Sequence, residues 1–177
     1  MSYTGNTSPI ETKRQILEWC EYAYKVSIDE ISLNALVNDF FTPKLFEDNI
    51  TGKILFKINE NQKLFALGTI LHLIQDSYSD AHVERINDEG SGDDKYIISF
   101  LVYPMQDKDK HKHADDKKSY LENRGWGISK LHGAKIIEFV TKKSSWVDEV
   151  KPYLDKFVFP IAKKESRASY AGEMFLP

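Results

Sequence analysis

Apolar residues recur at helical spacing in five stretches of the chain. In the first, Ile10, Ile16, Leu17, Cys20, Ala23 and Tyr24 follow a start signal. Thr7 or Ser8 can cap, Pro9 suits the first turn, and Glu11 supplies an acid beside the helix N-terminus, so a helix is predicted from Pro9 to about Val26. Ile31 to Phe41 carries a second apolar pattern, ended by "TPKL". Gln62 to Asp76 is apolar around most of its circumference, which predicts a central helix. Ser129 to Lys142 and Trp146 to Phe157 read as two further amphipathic helices, parted by "KKSS". Two stretches have a different rhythm. Ile50 to Ile58 fits a short strand or a connector, and "YIISFLVYP" fits a strand or a buried extended segment stopped by Pro104. Glycines and acids mark "NDEGSGDD" as a turn or surface loop, and "NRGWG" reads as a loop. "QDKDKHKHADDKK" is a charged surface stretch with a helix beginning near its end. No repeat, low-complexity tract or linker interrupts the pattern. The expected fold is all-α: one mainly helical domain over residues 1–177, with at most a short strand or extended segment.

Composition narrows the class without naming a function. A chain of 177 residues, 41% hydrophobic and 12% aromatic, can bury a single core and is not a disordered polymer. A net charge of −3 gives no global steering toward nucleic acid or an anionic membrane. Cys20 is the only cysteine, so the chain has no internal disulfide and no thiolate cluster, and a metal would be held by nitrogen and oxygen. "MSYTGNTSPIETKRQ" lacks the layout of a secretory signal, and no run reaches the roughly 18 apolar residues of a membrane span. The expectation is synthesis in the cytoplasm, with export by a specialised secretion system left open.

The candidate chemistry lies in the middle of the chain, because all five histidines fall between residues 72 and 132. In "LGTILHLIQDSYSDAHVER" (67–85), His72 and Asp76 are four apart, one helical turn on one face. Ionisable groups on so apolar a helix need a partner that offsets their desolvation. Imidazole nitrogen and carboxylate oxygen at this spacing can grip one metal ion, and zinc accepts such mixed ligation. His82 follows six residues after Asp76 across "SYSDA", a turn that can bring it back to the same face. His111 and Asp115 repeat the His-x3-Asp spacing. Each feature also has a plainer reading: His72 as a satisfied core histidine, Asp76 as a cap or a partner of Arg85, and the 111–116 run as a solvated surface. His132 reads as a loop or helix-start residue, with Ile136 where a carboxylate would be needed. Two His-x3-Asp pairs and a third histidine together favour a site.

These residues resemble the central motif of the zinc-dependent phospholipase C superfamily, which also contains single-strand-specific nucleases. That family is all-helical, with His-x3-Asp on a leucine- and glycine-containing helix and a histidine six residues later, as at His72, Asp76 and His82. His111 and Asp115 would stand for its later His-x3-Glu, with Asp in place of Glu. The wording of "SYSDAHVER" and "YPMQDKDKH" is nearer a divergent bacterial branch, and the resemblance covers about residues 64–115. It implies that His82, His111 and Asp115 hold one zinc with a position open for water. His72 and Asp76 would then serve a neighbouring ion, with Asp76 as the bridging carboxylate. The chain departs from the family in its first half, which has no histidine before His72; of the carboxylates there, Asp39 and Asp48 are the two nominated to help. One or two ions rather than three are therefore implied, and other transition metals suit the same donors.

The resemblance further implies a phosphodiesterase acting on phospholipid, in transient contact with a membrane surface, and delivery as a bacterial effector would fit it. Zinc would neutralise phosphoryl charge and lower the pKa of its water to about 7. No position matches the family's general base. Arg85 could meet a phosphate in bidentate fashion, or serve as a surface ion pair or a partner to Asp76. Gln75, Ser77 and Ser79 could hydrogen-bond the ligands. The absence of a basic, aromatic-interleaved stripe argues against a nuclease of the same superfamily. Two non-catalytic readings fit the same residues: a helical binding protein with a degenerate metal site, and a polar histidine network without metal.

Overall fold

The computed structural model describes residues 8–31, 62–79, 82–87, 94–101 and 125–162. The apolar stretch after Ile31, the 50–58 segment, and the charged run with His111 and Asp115 lie outside the described residues. Within them the chain is mainly helical, with one two-stranded sheet.

Helix α1 spans Pro9–Ser27 and begins as the sequence signal predicts. Ser8 is extended, its Oγ accepts the Glu11 amide at 3.2 Å, and Pro9 occupies the first turn, where its missing N–H costs nothing. The helix ends in a Schellman turn: the Glu30 amide reaches Lys25 O at 2.8 Å and the Asp29 amide reaches Val26 O at 3.2 Å. Asp29 takes the left-handed conformation (φ 63°) that this turn demands. Ile16, Leu17, Cys20, Tyr22, Ala23, Tyr24 and Val26 are all buried, so the second half of α1 is enclosed on nearly every side.

That makes α1 the central helix and corrects the expectation for the next one. Helix α2, Gln62–Asp76, has the predicted bounds but buries only Ala66, Ile70 and Ile74, a single stripe at four-residue spacing. Each buried isoleucine contributes roughly 1.5–3 kcal/mol, enough to fix which face turns inward. Trp19 Nε1 donates to Thr69 Oγ1 at 3.2 Å where α1 meets α2.

The strands β1 (Val83–Asn87) and β2 (Asp94–Phe100) pair antiparallel, from Val83 opposite Phe100 to Asn87 opposite Asp94. The register shifts between Glu84 and Arg85 and again between Ile86 and Asn87, so β2 carries an extra residue at each place. Val83 and Ile97 enter the core. Helix α3, Gly125–Lys142, starts inside the stretch expected to be a loop, and packs on α2. It also ends in a Schellman turn, with Ser144 N donating to Phe139 O (3.0 Å), Lys143 N to Val140 O (3.2 Å), and Lys143 at φ 51°.

The last helix, α4, covers residues 146–158 as a π turn (Trp146–Val150), an α turn (Lys151–Tyr153) and a second π turn (Leu154–Val158). Pro152 cannot donate a hydrogen bond, and in a regular helix its ring would meet the carbonyl of Asp148. The widened turns around it relieve that clash. Trp146, Val150, Leu154 and Val158 point into the core, and Ile161 then forms a parallel bridge with Ile97. The Ile97 amide donates to Pro160 O at 2.7 Å and the Ala162 amide to Ile97 O at 2.9 Å, fastening the exit of α4 to β2.

Candidate functional site

The end of α2 and the turn after it create the site. Ser77 N–H closes on Leu73 O (3.0 Å), and its hydroxyl donates to Ile74 O at 2.7 Å, which competes with helix continuation. The Tyr78 and Ser79 amides bond back to Gln75 O and Asp76 O, both at 3.0 Å. Ser79 O then accepts the amides of His82 and Val83, each at 3.0 Å, and His82 O accepts the Leu101 amide at 2.8 Å. These bonds fold the chain back on itself and fix His82 at the mouth of the hairpin.

The result is the predicted return of His82 to Asp76. His72 Nε2 lies 3.4 Å from Asp76 Oδ2, and His82 Nε2 lies 3.9 Å from Asp76 Oδ1. One carboxylate thus faces two imidazoles, one through each oxygen. The surroundings differ: the His72 side chain is 73% exposed, Asp76 30% and His82 18%. His72 is therefore no buried group on an apolar face. The desolvation cost falls on His82 and Asp76.

The remaining predicted site residues take different places. Gln75 is exposed on α2, and Ser79 is buried, with its carbonyl holding the His82 amide. Arg85 Nε donates to Ser77 O at 2.8 Å and Nη2 to Val158 O at 2.7 Å, with the guanidinium 4.2 Å above the Tyr78 ring. His111 and Asp115, with the early carboxylates Asp39 and Asp48, lie outside the described residues. Among the described residues, no group of three or more His, Cys, Asp or Glu side chains is arranged to hold a metal ion. The nitrogen and oxygen donors of His72, Asp76 and His82 suit zinc in kind, with one imidazole beside each oxygen of the Asp76 carboxylate.

His132 corrects its expected place. It stands within α3, not in a loop or at a helix start, and its Nδ1 shares a 2.7 Å hydrogen bond with the Tyr153 hydroxyl. Its ring stacks on Tyr78 with centroids 5.7 Å apart. Burial, and after it the Arg85 cation, lowers the His132 pKa, while burial raises those of Tyr78 and Tyr153. The cluster of Tyr78, Arg85, His132 and Tyr153 gives no sequence signal beyond its residue types, because its members come from four separate elements or turns. No helix among the described residues is long and apolar enough to cross a membrane. No family model, curated protein or solved structure matches this chain.

Proposed function

We propose that the chain is a metal-dependent phosphodiesterase of the phospholipase C type acting on phospholipid, in which His72, Asp76 and His82 form part of the metal site. The observation that carries this reading is the arrangement of Asp76, whose two oxygens face separate imidazoles at 3.4 and 3.9 Å. A carboxylate placed so can serve two neighbouring cations, one through each oxygen. His111 and Asp115 are the proposed remaining ligands. A bound zinc would supply Lewis-acid stabilisation of the phosphoryl oxygens and a hydroxide near neutral pH. The protein's own contribution is rigid placement: His82 is held through its amide and its carbonyl, and Asp76 sits on the last turn of α2.

The test is metal analysis of untagged protein, followed by assays on phosphatidylcholine, a chromogenic phosphocholine ester and single-stranded DNA. Less than about half an equivalent of transition metal overturns the reading, since ligation of this kind couples metal to the folded state. His82→Ala is expected to abolish turnover and release metal while helix content persists; an active, metal-replete variant overturns the site. A second reading, a metal-free polar cluster, is favoured by the absence of a three-ligand group among the described residues. It predicts a well-folded protein that takes up no metal.

A further inference from the structure

Arg85 lies on β1 three residues after His82, opposite Ile97 and just past the register shift at Glu84. An extra residue on the facing strand bends the ladder there and re-aims the side chains beside it. The Arg85 fork reaches two carbonyls in different elements: Ser77 O, directly after Asp76, and Val158 O, at the end of α4. Tyr78, beneath the guanidinium, donates its hydroxyl to Phe157 O at 3.3 Å. A helix C-terminus leaves unpaired carbonyls and a partial negative charge. Here those carbonyls are taken by a phenol and a guanidinium from the segment that carries Asp76 and His82.

We propose that Arg85 is a positioning residue: it locks the 77–79 turn against the end of α4 and thereby sets where Asp76 stands relative to His82. Ser77 follows Asp76 in the chain, and Ser79 O holds the His82 amide, so a shift of this turn moves both side chains. The hairpin has a separate tie to α4 through Ile97 with Pro160 and Ala162. Removing Arg85 therefore frees the turn without detaching the sheet. A planar fork can serve two acceptors at once, which a lysine ammonium on a flexible stem does poorly. The consequence for metal binding rests on the proposed function; the positioning role does not.

Amide hydrogen exchange and cobalt(II) titration of the full chain test this with Arg85→Lys and Arg85→Met. Protection of the His82, Val83 and Leu101 amides is expected to fall about tenfold or more in both variants, with the α2 amides of Ile70 and Ile74 holding, because local opening need not follow global unfolding. Cobalt(II) affinity is expected to fall about 10–100-fold, the usual effect of losing a group that orients a ligand. Unchanged exchange at the three amides overturns the proposal. So does a loss of protection spread evenly over all elements, which would make Arg85 a general stabiliser. If Arg85→Met does not fold, Arg85→Lys decides by the same pattern. A wild-type protein that takes no cobalt but shows the selective loss in its variants keeps the positioning role and overturns the metal reading.

Discussion

Replacing Tyr24 by phenylalanine isolates one tertiary hydrogen bond. Tyr24 is fully buried, and its hydroxyl lies 2.7 Å from Ser144 O and 3.1 Å from Phe139 O, joining α1 to the end of α3. Phenylalanine keeps the ring and its contact with Trp146, centroids 5.8 Å apart. A phenol has one proton, so it serves one carbonyl at a time, and the shorter contact is with Ser144. Phe139 O also holds the Ser144 amide at 3.0 Å and is not orphaned. Ser144 O loses its donor. A net hydrogen bond contributes about 0.5–1.5 kcal/mol, and a fully buried orphan costs about 1–3 kcal/mol. Ser144 is only half-buried, so water can partly replace the phenol, and a loss of about 1–1.5 kcal/mol is expected. For a chain of this length that lowers Tm by about 2–6 °C. Urea unfolding at neutral pH, followed by far-UV circular dichroism, measures it directly. The midpoint should fall with the slope unchanged. An unchanged midpoint would show that the Tyr24 phenol adds nothing net to stability, and an altered slope would show that the substitution changes more than one bond.

Lys143 is exposed and left-handed at the α3 Schellman turn, so Lys143→Gly should stabilise by about 0.5–1 kcal/mol; no gain in unfolding free energy counts against strain there. Cys20 is 0% exposed and burial pushes its thiol up to about 12, so a disulfide reagent at pH 8 should label it only at the rate of unfolding, and prompt labelling would contradict the buried placement. Burial raises Cys20, Tyr22 and Tyr24 each to about 12. The unfolded chain therefore loses these protons first, and stability should decline from about pH 9 toward pH 12. Flat unfolding midpoints between about pH 8.5 and 11 would exclude that linkage.

Legibility in the sequence follows the distance between partners. The start of α1 is readable because its cap, proline and acid lie within four residues, and α2 because its apolar run is long. Strand β1 is not, because "VERIN" is short and sets its two apolar residues three apart, a spacing that does not alternate. The start of α3 is hidden by Gly125 and Gly127, which read as loop punctuation; a Cβ at Gly127 would meet nothing within 4 Å, so only its flexibility opposes the helix there. The return of His82 to Asp76 is legible from a six-residue turn. The tie from Arg85 to Val158 spans 73 residues and depends on a helix end that no local pattern announces.

The unequal exposure of the two imidazoles separates the two readings of the site. In a metal-free cluster the interaction matters in proportion to burial. His82→Ala would then disturb the hairpin mouth, and His72→Ala, at a side chain 73% exposed, would cost about 0–0.5 kcal/mol and change nothing else. In a metal site, exposure does not discount a ligand, because coordination to a cation is not screened as a solvated ion pair is. His72→Ala would then leave urea stability of the metal-free protein unchanged and still weaken cobalt(II) binding by about tenfold or more. The diagnostic result is that dissociation: a side chain silent in folding and decisive in metal uptake. If His72→Ala is silent in both while wild type binds cobalt(II), His72 is excluded as a ligand, and Asp76 must meet any cation on the side facing His82 alone.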